Sequence, residues 1–422
     1  MTEIRCSSAV RSPADLFHDL AVSGENVFLT GAAGTGKSYQ VERFTRKHRD
    51  THVTASTGVA ALNVGGMTVH RWSGMLLGPK PGESFDRYFA GLTRNPRPSI
   101  RAAFNRIRRC ERLVIDEISM LSGLHFAYLD FHCREVRNDP RPFGGTQVIG
   151  TGDALQLPPV RTNPRLPYDW FFDSPAWAEA GFRKVELTRI MRQDDPEFAG
   201  ALSKFRLGVI DREVTRLLKP RVTLFPSQNL TRLLTHNVQV DRWNDYCLGE
   251  LPGPESVRTA ETYGPQHQID FLKKNLLTPS ELRLKPGARV MFTVNRPDDG
   301  YVNGQTGVVT AVGTSSVVVE THGKEVEVAS YRWIYDSNDP GSGWFEQIPL
   351  RLAYAMTIHK AQGLTIEEAF IDIRAAREPG QAYVALSRVR TLDGLHLKDW
   401  PKGIFVSQRA LDFHAPSPLA HQ

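Results

Sequence analysis

No Cys-x-x-Cys pair occurs in this chain of 422 residues, whose four cysteines, Cys6, Cys110, Cys133 and Cys247, stand far apart. That spacing supports neither a disulfide framework nor a zinc site, and it fits a protein kept in reducing, intracellular surroundings. The adjacent His132 and Cys133 have no second pair at ligand spacing, so they read as buried structure. An uninterrupted apolar run of membrane-spanning length is also missing, and the N-terminal stretch, with Glu3, Asp15 and Asp19, lacks a signal-peptide core. A membrane partner is not expected. Charge of one sign is scarce too: 52 basic against 46 acidic residues leave +6, which by itself says little about a polyanionic partner. The arginines do cluster between 94 and 112, in "RNPRPSIRAAFNRIRRCER", a run whose default reading is a solvated face.

What is present is a repeated alternation of short apolar runs with helix-compatible segments. "NVFLTG" (26–31), "HVTAS" (52–56), "LVID" (113–116) and "TQVIGTGD" (146–153) read as buried strands, and the alternation predicts a parallel sheet with helices on both faces. Ligands of such sheets bind at the carboxyl ends of the strands. A second α/β region is split: "RLLTHN" (232–237) is separated by more than a hundred residues from "LRLAYAM" (350–356) and "EAFIDI" (368–373), its expected partner strands. Between them "GARVMFTVN" (287–295), "GVVTAV" (307–312), "SSVVVET" (315–321) and "KEVEVAS" (324–330), joined by turn residues, predict a small inserted barrel. A further insert, about 76 to 104, is rich in Gly, Pro and Arg, and the tail "HAPSPLAHQ" reads as flexible.

"GAAGTGKS", Gly31 to Ser38, matches the phosphate-binding P-loop in full, between a strand and a helix. Gly31, Gly34 and Gly36 let backbone N–H groups turn toward phosphate at a helix N-terminus. Lys37 is placed to reach the β- and γ-phosphates, and the Ser38 hydroxyl to ligate magnesium. In "LVIDEISM", Asp116 closes a strand and supplies a carboxylate for the metal, with Glu117 beside it as the hydrolytic base. Gln156, in "GDALQLPPV", is a candidate for the γ-phosphate or the attacking water. Arg192 in "LTRIMRQ" and Arg388 in "YVALSRV" are candidates to stabilise charge on the transferred phosphoryl group. By composition alone, each is one arginine among many.

Taken in order, "GAAGTGKS", "ASTGVAALNVGGMTVHRWSG", "VIDEISML", "FGGTQVIGTGDALQLPPV", "LTRIMRQ", "AMTIHKAQGLT" and "YVALSRV" resemble the successive motifs of the PIF-type helicases. This is the 5′→3′ branch of superfamily 1 that includes RecD and the phage helicase Dda. The likeness runs from about residue 25 to 412. It implies an α/β protein of two RecA-like P-loop NTPase domains, with a wedge insert in the first and an SH3-like β-barrel insert in the second. ATP would lie in the cleft between the domains, and single-stranded DNA across both.

The expected division is 1–179 for the first domain (wedge about 76–104), 180–237 and 346–413 for the second, 238–345 for the inserted barrel and 414–422 for the tail. The resemblance assigns Gly34, Thr35, Gly36, Lys37, Ser38, Gln362 and Gly363 to nucleotide, Ser38 and Asp116 to Mg2+, Glu117 to the lytic water and Gln156 to the γ-phosphate. Arg192 and Arg388 become arginine fingers. Thr57, Gly58, His70, His359, Lys360 and Thr365 are assigned to the strand, with Trp72 a candidate for base stacking alongside an equally weighted core role. ATP and Mg2+ are thus the implied cofactors, single-stranded DNA and its junctions with duplex the partners. A monomer suffices, and a bacterial or phage protein acting at the nucleoid is the expected setting.

The likeness departs at one point. The family has a glutamine upstream of the P-loop strand that reads adenine, whereas no Gln precedes Gln40 here and Asp15 stands near the expected place. Looser discrimination among nucleoside triphosphates is the expectation. The rival readings are a non-motor P-loop enzyme such as a nucleotide kinase, a binding module with a decayed ATPase, and an RNA or RNA/DNA-hybrid helicase. The second α/β half argues against the first, and the presence of Lys37 and Glu117 against the second. Sugar discrimination by phosphate-tracking grooves is weak, which leaves the third open.

Overall fold

The computed structural model describes residues 12–161, 163, 165–224, 226–227, 230–335 and 341–415. From residue 416 on, the tail expected to be flexible lies outside them. Two compact units make up the chain, Met1–Ala154 with Pro158–Met191, and Leu155–Leu157 with Arg192–Gln422.

The first unit is built on β1 (Val27–Gly31), β2 (Thr51–Ala55), β3 (Met67–Thr68), β4 (Arg112–Asp116), β5 (Gln147–Thr151) and β6 (Arg183–Leu187), in the order β3-β2-β4-β5-β1-β6 and parallel throughout. Every residue of β1 and β5 is buried, as a parallel sheet covered on both faces requires. The covering helices are α1 (Pro13–Val22), α2 (Lys37–Lys47), α3 (Gly58–Asn63), α4 (Val69–Ser73), α5 (Phe85–Thr93), α6 (Pro98–Arg109), α7 (Gly123–Arg137) and α8 (Pro175–Ala180). Phe17 and Ala21 of α1 and Val41 and Phe44 of α2 pack with Val27, Leu29, Val114, Ile149 and Val185.

One expectation changes here. β6 pairs in parallel with β1 along its whole length, so the first unit runs to Met191 rather than ending at 179. The Gly/Pro/Arg-rich stretch is largely helical, because Ile100, Ala103, Phe104 and Ile107 recur at helical spacing and are buried in α6. Arg101, Arg108 and Arg109 point to solvent from the same helix, whereas Arg106 donates to the carbonyls of Arg71 and Trp72 and ties α6 to α4.

In the second unit the strands are, in chain order, β7 (Thr231–Leu234), β8 (Ser256–Thr259), β9 (Glu261–Tyr263), β10 (Glu281–Leu284), β11 (Arg289–Phe292), β12 (Thr306–Val312), β13 (Ser316–Thr321), β14 (Lys324–Ala329), β15 (Tyr331–Ile334), β16 (Trp344–Gln347), β17 (Leu350–Leu352), β18 (Ala355–Thr357), β19 (Ala369–Ile371) and β20 (Leu395–Leu397). A parallel sheet has the order β18-β7-β19-β20, and an antiparallel sheet the order β14-β13-β12-β11-β17. Val290, Phe292, Val309, Val317, Val319, Val328 and Leu350 form the core of the antiparallel sheet. β8 with β10, and β9 with β15 and β16, make two smaller antiparallel sheets.

The run 350–356 is not one strand. β17 pairs antiparallel with β11, and two residues later β18 pairs parallel with β7, so the chain leaves one sheet and enters the other across Ala353 and Tyr354. The helix Asn237–Glu250, expected within the insert, packs instead on β7 and β18. Its Asn244 exchanges both amide hydrogen bonds with the backbone of Ala355, at 3.1 and 2.9 Å, which fixes the helix to the parallel sheet.

The "FGG" element before β5 has a mechanical explanation. Phe143, Gly144 and Gly145 all have positive φ (50°, 62° and 73°), and the buried Asp130 of α7 accepts the Phe143 N–H at 2.6 Å. A Cβ on Gly144 would lie 2.6 Å from the Cys133 carbonyl oxygen. Gly144→Ala is expected to destabilise the first unit by about 2 kcal/mol, through left-handed strain plus that clash, read as a lowered urea midpoint.

Candidate functional site

The order of the first sheet brings the ends of β4, β5 and β1 side by side, and the chemistry collects there. Gly31 ends β1 with φ 145°, and a Cβ on it would meet the Leu187 carbonyl oxygen at 2.4 Å, so only glycine lets the chain turn under β6. Gly36, at φ 86°, leads into α2 and offers no side chain to cap the helix, whose N-terminus is the kind of place where anions bind. Thr35 closes the loop on itself by donating to Ala32 O at 2.9 Å. Lys37 Nζ folds over the loop, donating to Gly31 O at 2.8 Å and Ala32 O at 3.0 Å, and the side chain of Ser38 is exposed.

Asp116 is buried at the end of β4. Its Oδ1 accepts the Glu117 N–H at 3.0 Å and the Thr151 hydroxyl from the neighbouring end of β5. Burial raises its pKa, against the opposing pull of Thr151, the Glu117 N–H and the charge of Lys37. Glu117 has φ 50°, a turn that separates its direction from that of Asp116, and its carbonyl is held by the Ser56 hydroxyl at 2.6 Å. Thr151, whose hydroxyl holds Asp116, is a residue of this site that the sequence reading missed; the signal available was its place in "GTGD", directly at the end of a buried strand. The donor set of Ser38 and Asp116 is all oxygen, as a hard cation requires, and fits Mg2+.

The residues assigned to the strand in this unit divide. Thr57 uses its hydroxyl to cap α3, accepting from Ala60 N at 3.2 Å, and Gly58 is buried behind it. His70 is half-buried edge-on to His125, with centroids 4.9 Å apart, and burial, then His125, lowers its pKa to about 4. Trp72 corrects the stacking alternative: it is 1% exposed, donates its indole N–H to His52 Nδ1 at 2.8 Å, and belongs to the core. His132, likewise buried, donates to Ser73 O at 2.9 Å and has its pKa lowered to about 4 by burial, so it supports α4 from beneath. Asp15 shares a capping arrangement with Ser12, whose hydroxyl donates to its carboxylate at 2.6 Å.

The second unit holds the remaining candidates. Gln156 is buried within Leu155–Leu157. Arg192 donates to Ser387 O at 3.1 Å and more weakly to Gly363 O at 3.5 Å, while Arg388, 1% exposed, donates to Val384 O and to Ser387 Oγ. The two arginines and Gly363 therefore converge on one turn, steadied by Gln193, which donates to Ser387 O and Val389 O. After β18, Thr357 caps the single turn Ile358–Ala361 by accepting from Lys360 N. That turn carries His359, paired with Glu378 at 3.2 Å, and the half-buried Lys360; Gln362 is buried next to it, and Gly363 and Thr365 are exposed.

A glycine-rich loop capping α2, a lysine folded over it and an acidic strand end two strands away define a P-loop nucleoside triphosphatase. A family model described as PIF1-like helicase matches residues 17–215. The "ATP-dependent DNA helicase Pif1" of Bdellovibrio bacteriovorus is 37% identical over 94% of this chain and 89% of its own length. Its counterpart in Danio rerio is 36% identical over 93% of this chain, which spans 62% of that longer relative. The crystal structure of Bacteroides sp Pif1 in complex with ADP-AlF4 superposes with a TM-score of 0.83 at 30% identity, covering 97% of each chain. That of Bacteroides Pif1 bound to ssDNA gives 0.66 at 31% identity, over 98% of this chain and 97% of the other. The chain belongs to the PIF1-like helicases. Among the described residues no helix is long and apolar enough to cross a membrane.

Because burial raises the pKa of Asp116, the folded state disfavours its charge. That penalty is absent at low pH, where the group is protonated folded and unfolded alike, and grows as pH rises past the ordinary carboxylate value. Asp116→Asn is thus expected to raise the melting temperature of the nucleotide-free protein, more at pH 8 than at pH 5. Melting curves at the two pH values check this.

Proposed function

We infer that the protein is an ATP-dependent DNA helicase that moves 5′→3′ along single-stranded DNA and opens duplex at the junction ahead of it. The observation that carries this reading is the convergence of Gly31–Ser38, Asp116 and Glu117 at adjoining strand ends of a chain that aligns with a DNA helicase over nearly its whole length. Lys37, Gly34, Thr35, Gly36 and Ser38 bind the phosphates, and Ser38 and Asp116 hold Mg2+, which when bound neutralises phosphate charge. Glu117 orients the attacking water and Gln156 senses the γ-phosphate. Arg192 and Arg388 stabilise charge on the transferred group, and Gln362 and Gly363 report its presence to the turn that carries His359 and Lys360. Thr57, Gly58 and His70 on the first unit, and His359, Lys360 and Thr365 on the second, contact the strand.

The five-stranded antiparallel sheet serves as the SH3-like clamp. The helical insert headed by Leu76 and Leu77, the latter 89% exposed, is the wedge that parts the duplex. A single copy carries every residue named, so a monomer is the working unit, in a bacterial or phage setting.

Steady-state hydrolysis of ATP is expected to rise strongly with a single-stranded DNA oligonucleotide and to vanish in Glu117→Gln with or without it; a rate indifferent to DNA contradicts the reading. Running RNA of equal length in parallel separates the RNA-helicase alternative, which requires stimulation by RNA at least equal to that by DNA. Asp15 is an acceptor already engaged by Ser12, unlike a glutamine that both donates and accepts. GTP and CTP are therefore expected to be hydrolysed within about tenfold of ATP, the span of a single hydrogen-bond contribution of roughly 1.4 kcal/mol.

A further inference from the structure

Arg351 occupies the middle of β17, opposite Met291 of β11, and its neighbours Leu350 and Leu352 turn into the core of the antiparallel sheet. Strand alternation directs the Arg351 side chain the other way. It is 9% exposed, and its Nη1 has no hydrogen-bond partner. Burial pulls its pKa down to about 10, with the exposed Asp241 of the helix Asn237–Glu250 the opposing charge that acts on it. Among the described residues no carboxylate lies in ion-pair contact with it. Lys360 is near: its pKa is lowered by burial and then by the charge of Arg351, with Asp241 again acting the other way.

A buried arginine and a half-buried lysine acting on each other, with one exposed carboxylate that touches neither, are an unfavourable arrangement for the free protein. Arg388 shows the usual solution, since its buried guanidinium donates to Val384 O and Ser387 Oγ. A guanidinium left without such acceptors is matched by an anion with several oxygens, and phosphate takes its donors in pairs.

We propose that Arg351 and Lys360 together seat one phosphodiester of the single strand, with Arg351 the fixed member of the pair. The proposal rests on the reading above that this protein binds single-stranded DNA, and adds a strand-binding residue from outside the helicase motifs. Sequence alone could not single it out, because a lone arginine in "PLRLAY" has the appearance of an ordinary strand residue.

The test uses the full chain, a fluorescent oligothymidylate and a mixed-sequence oligonucleotide of equal length, with binding measured by anisotropy over a series of salt concentrations. Arg351→Met keeps the side chain's length and removes its charge. It is expected to weaken binding about tenfold to both oligonucleotides at low salt and to flatten the slope of log Kd against log salt by about 0.7, the share of one single-strand phosphate. Its melting temperature is expected to equal or exceed that of the unmodified protein, because a partnerless buried charge has been removed. Arg351→Lys is expected to restore most of the slope. An Arg351→Met protein with unchanged affinity and slope overturns the proposal. So does one that melts several degrees lower with its slope intact, the signature of a structural arginine. If the unmodified protein fails to bind either oligonucleotide, the DNA reading itself falls, and this proposal with it.

Discussion

Burying a charge without an opposite charge in contact is the constraint on which the working parts of this protein depend. Asp116 sits at the end of β4 with its carboxylate held by a hydroxyl and an N–H, and among the described residues no cation lies in ion-pair contact with it. Burial works against its ionised form, opposed by the Thr151 hydroxyl, the Glu117 N–H and the charge of Lys37. Ordering β4, β5 and β1 side by side allows Thr151 to steady Asp116 while Lys37 remains close enough to act on it. A site with its charges already paired would be more stable and less able to bind metal and phosphate.

The same logic runs through the turn after β18. Its helix has one cap, Thr357, and its His359 is anchored to Glu378, but among the described residues no carboxylate lies in ion-pair contact with Lys360. Gln362 and Gly363 follow at once, and the Gly363 carbonyl meets Arg192, so residues assigned to nucleotide and residues assigned to the strand share one short stretch of backbone. A small displacement of that turn moves both sets. The apolar strand here ends in a cluster of polar groups and a glycine with φ 83°.

Much of this was legible before any coordinates. The P-loop was readable because each of its glycines answers a backbone demand: Gly31 cannot carry a Cβ beneath Leu187, and Gly36 must turn left-handed into α2. Asp116 and Glu117 were readable because they end an apolar strand downstream of a complete P-loop; an acidic pair at a strand end is common by itself. What sequence could not supply were relations across distant segments. β6 pairs with β1 from more than a hundred residues away, so the first unit extends beyond the expected boundary. The run 350–356 holds two strands of two different sheets, and no periodicity marks the change at Ala353. Trp72 was balanced between stacking and core because its choice depends on His52, a hydrogen-bond partner on another element. Thr151 and Arg351 were invisible for a related reason: their importance lies in what surrounds them, not in what they are.

The central claim is directional movement along DNA driven by ATP, and strand displacement tests it most directly. Two substrates of the same duplex, one with a single-stranded 5′ tail and one with a 3′ tail, would be incubated with the protein, ATP and magnesium. The account predicts unwinding of the 5′-tailed substrate with little of the 3′-tailed one, lost on replacing ATP with a non-hydrolysable analogue. Preferential unwinding from the 3′ tail, or none from either while DNA still stimulates hydrolysis, would contradict it.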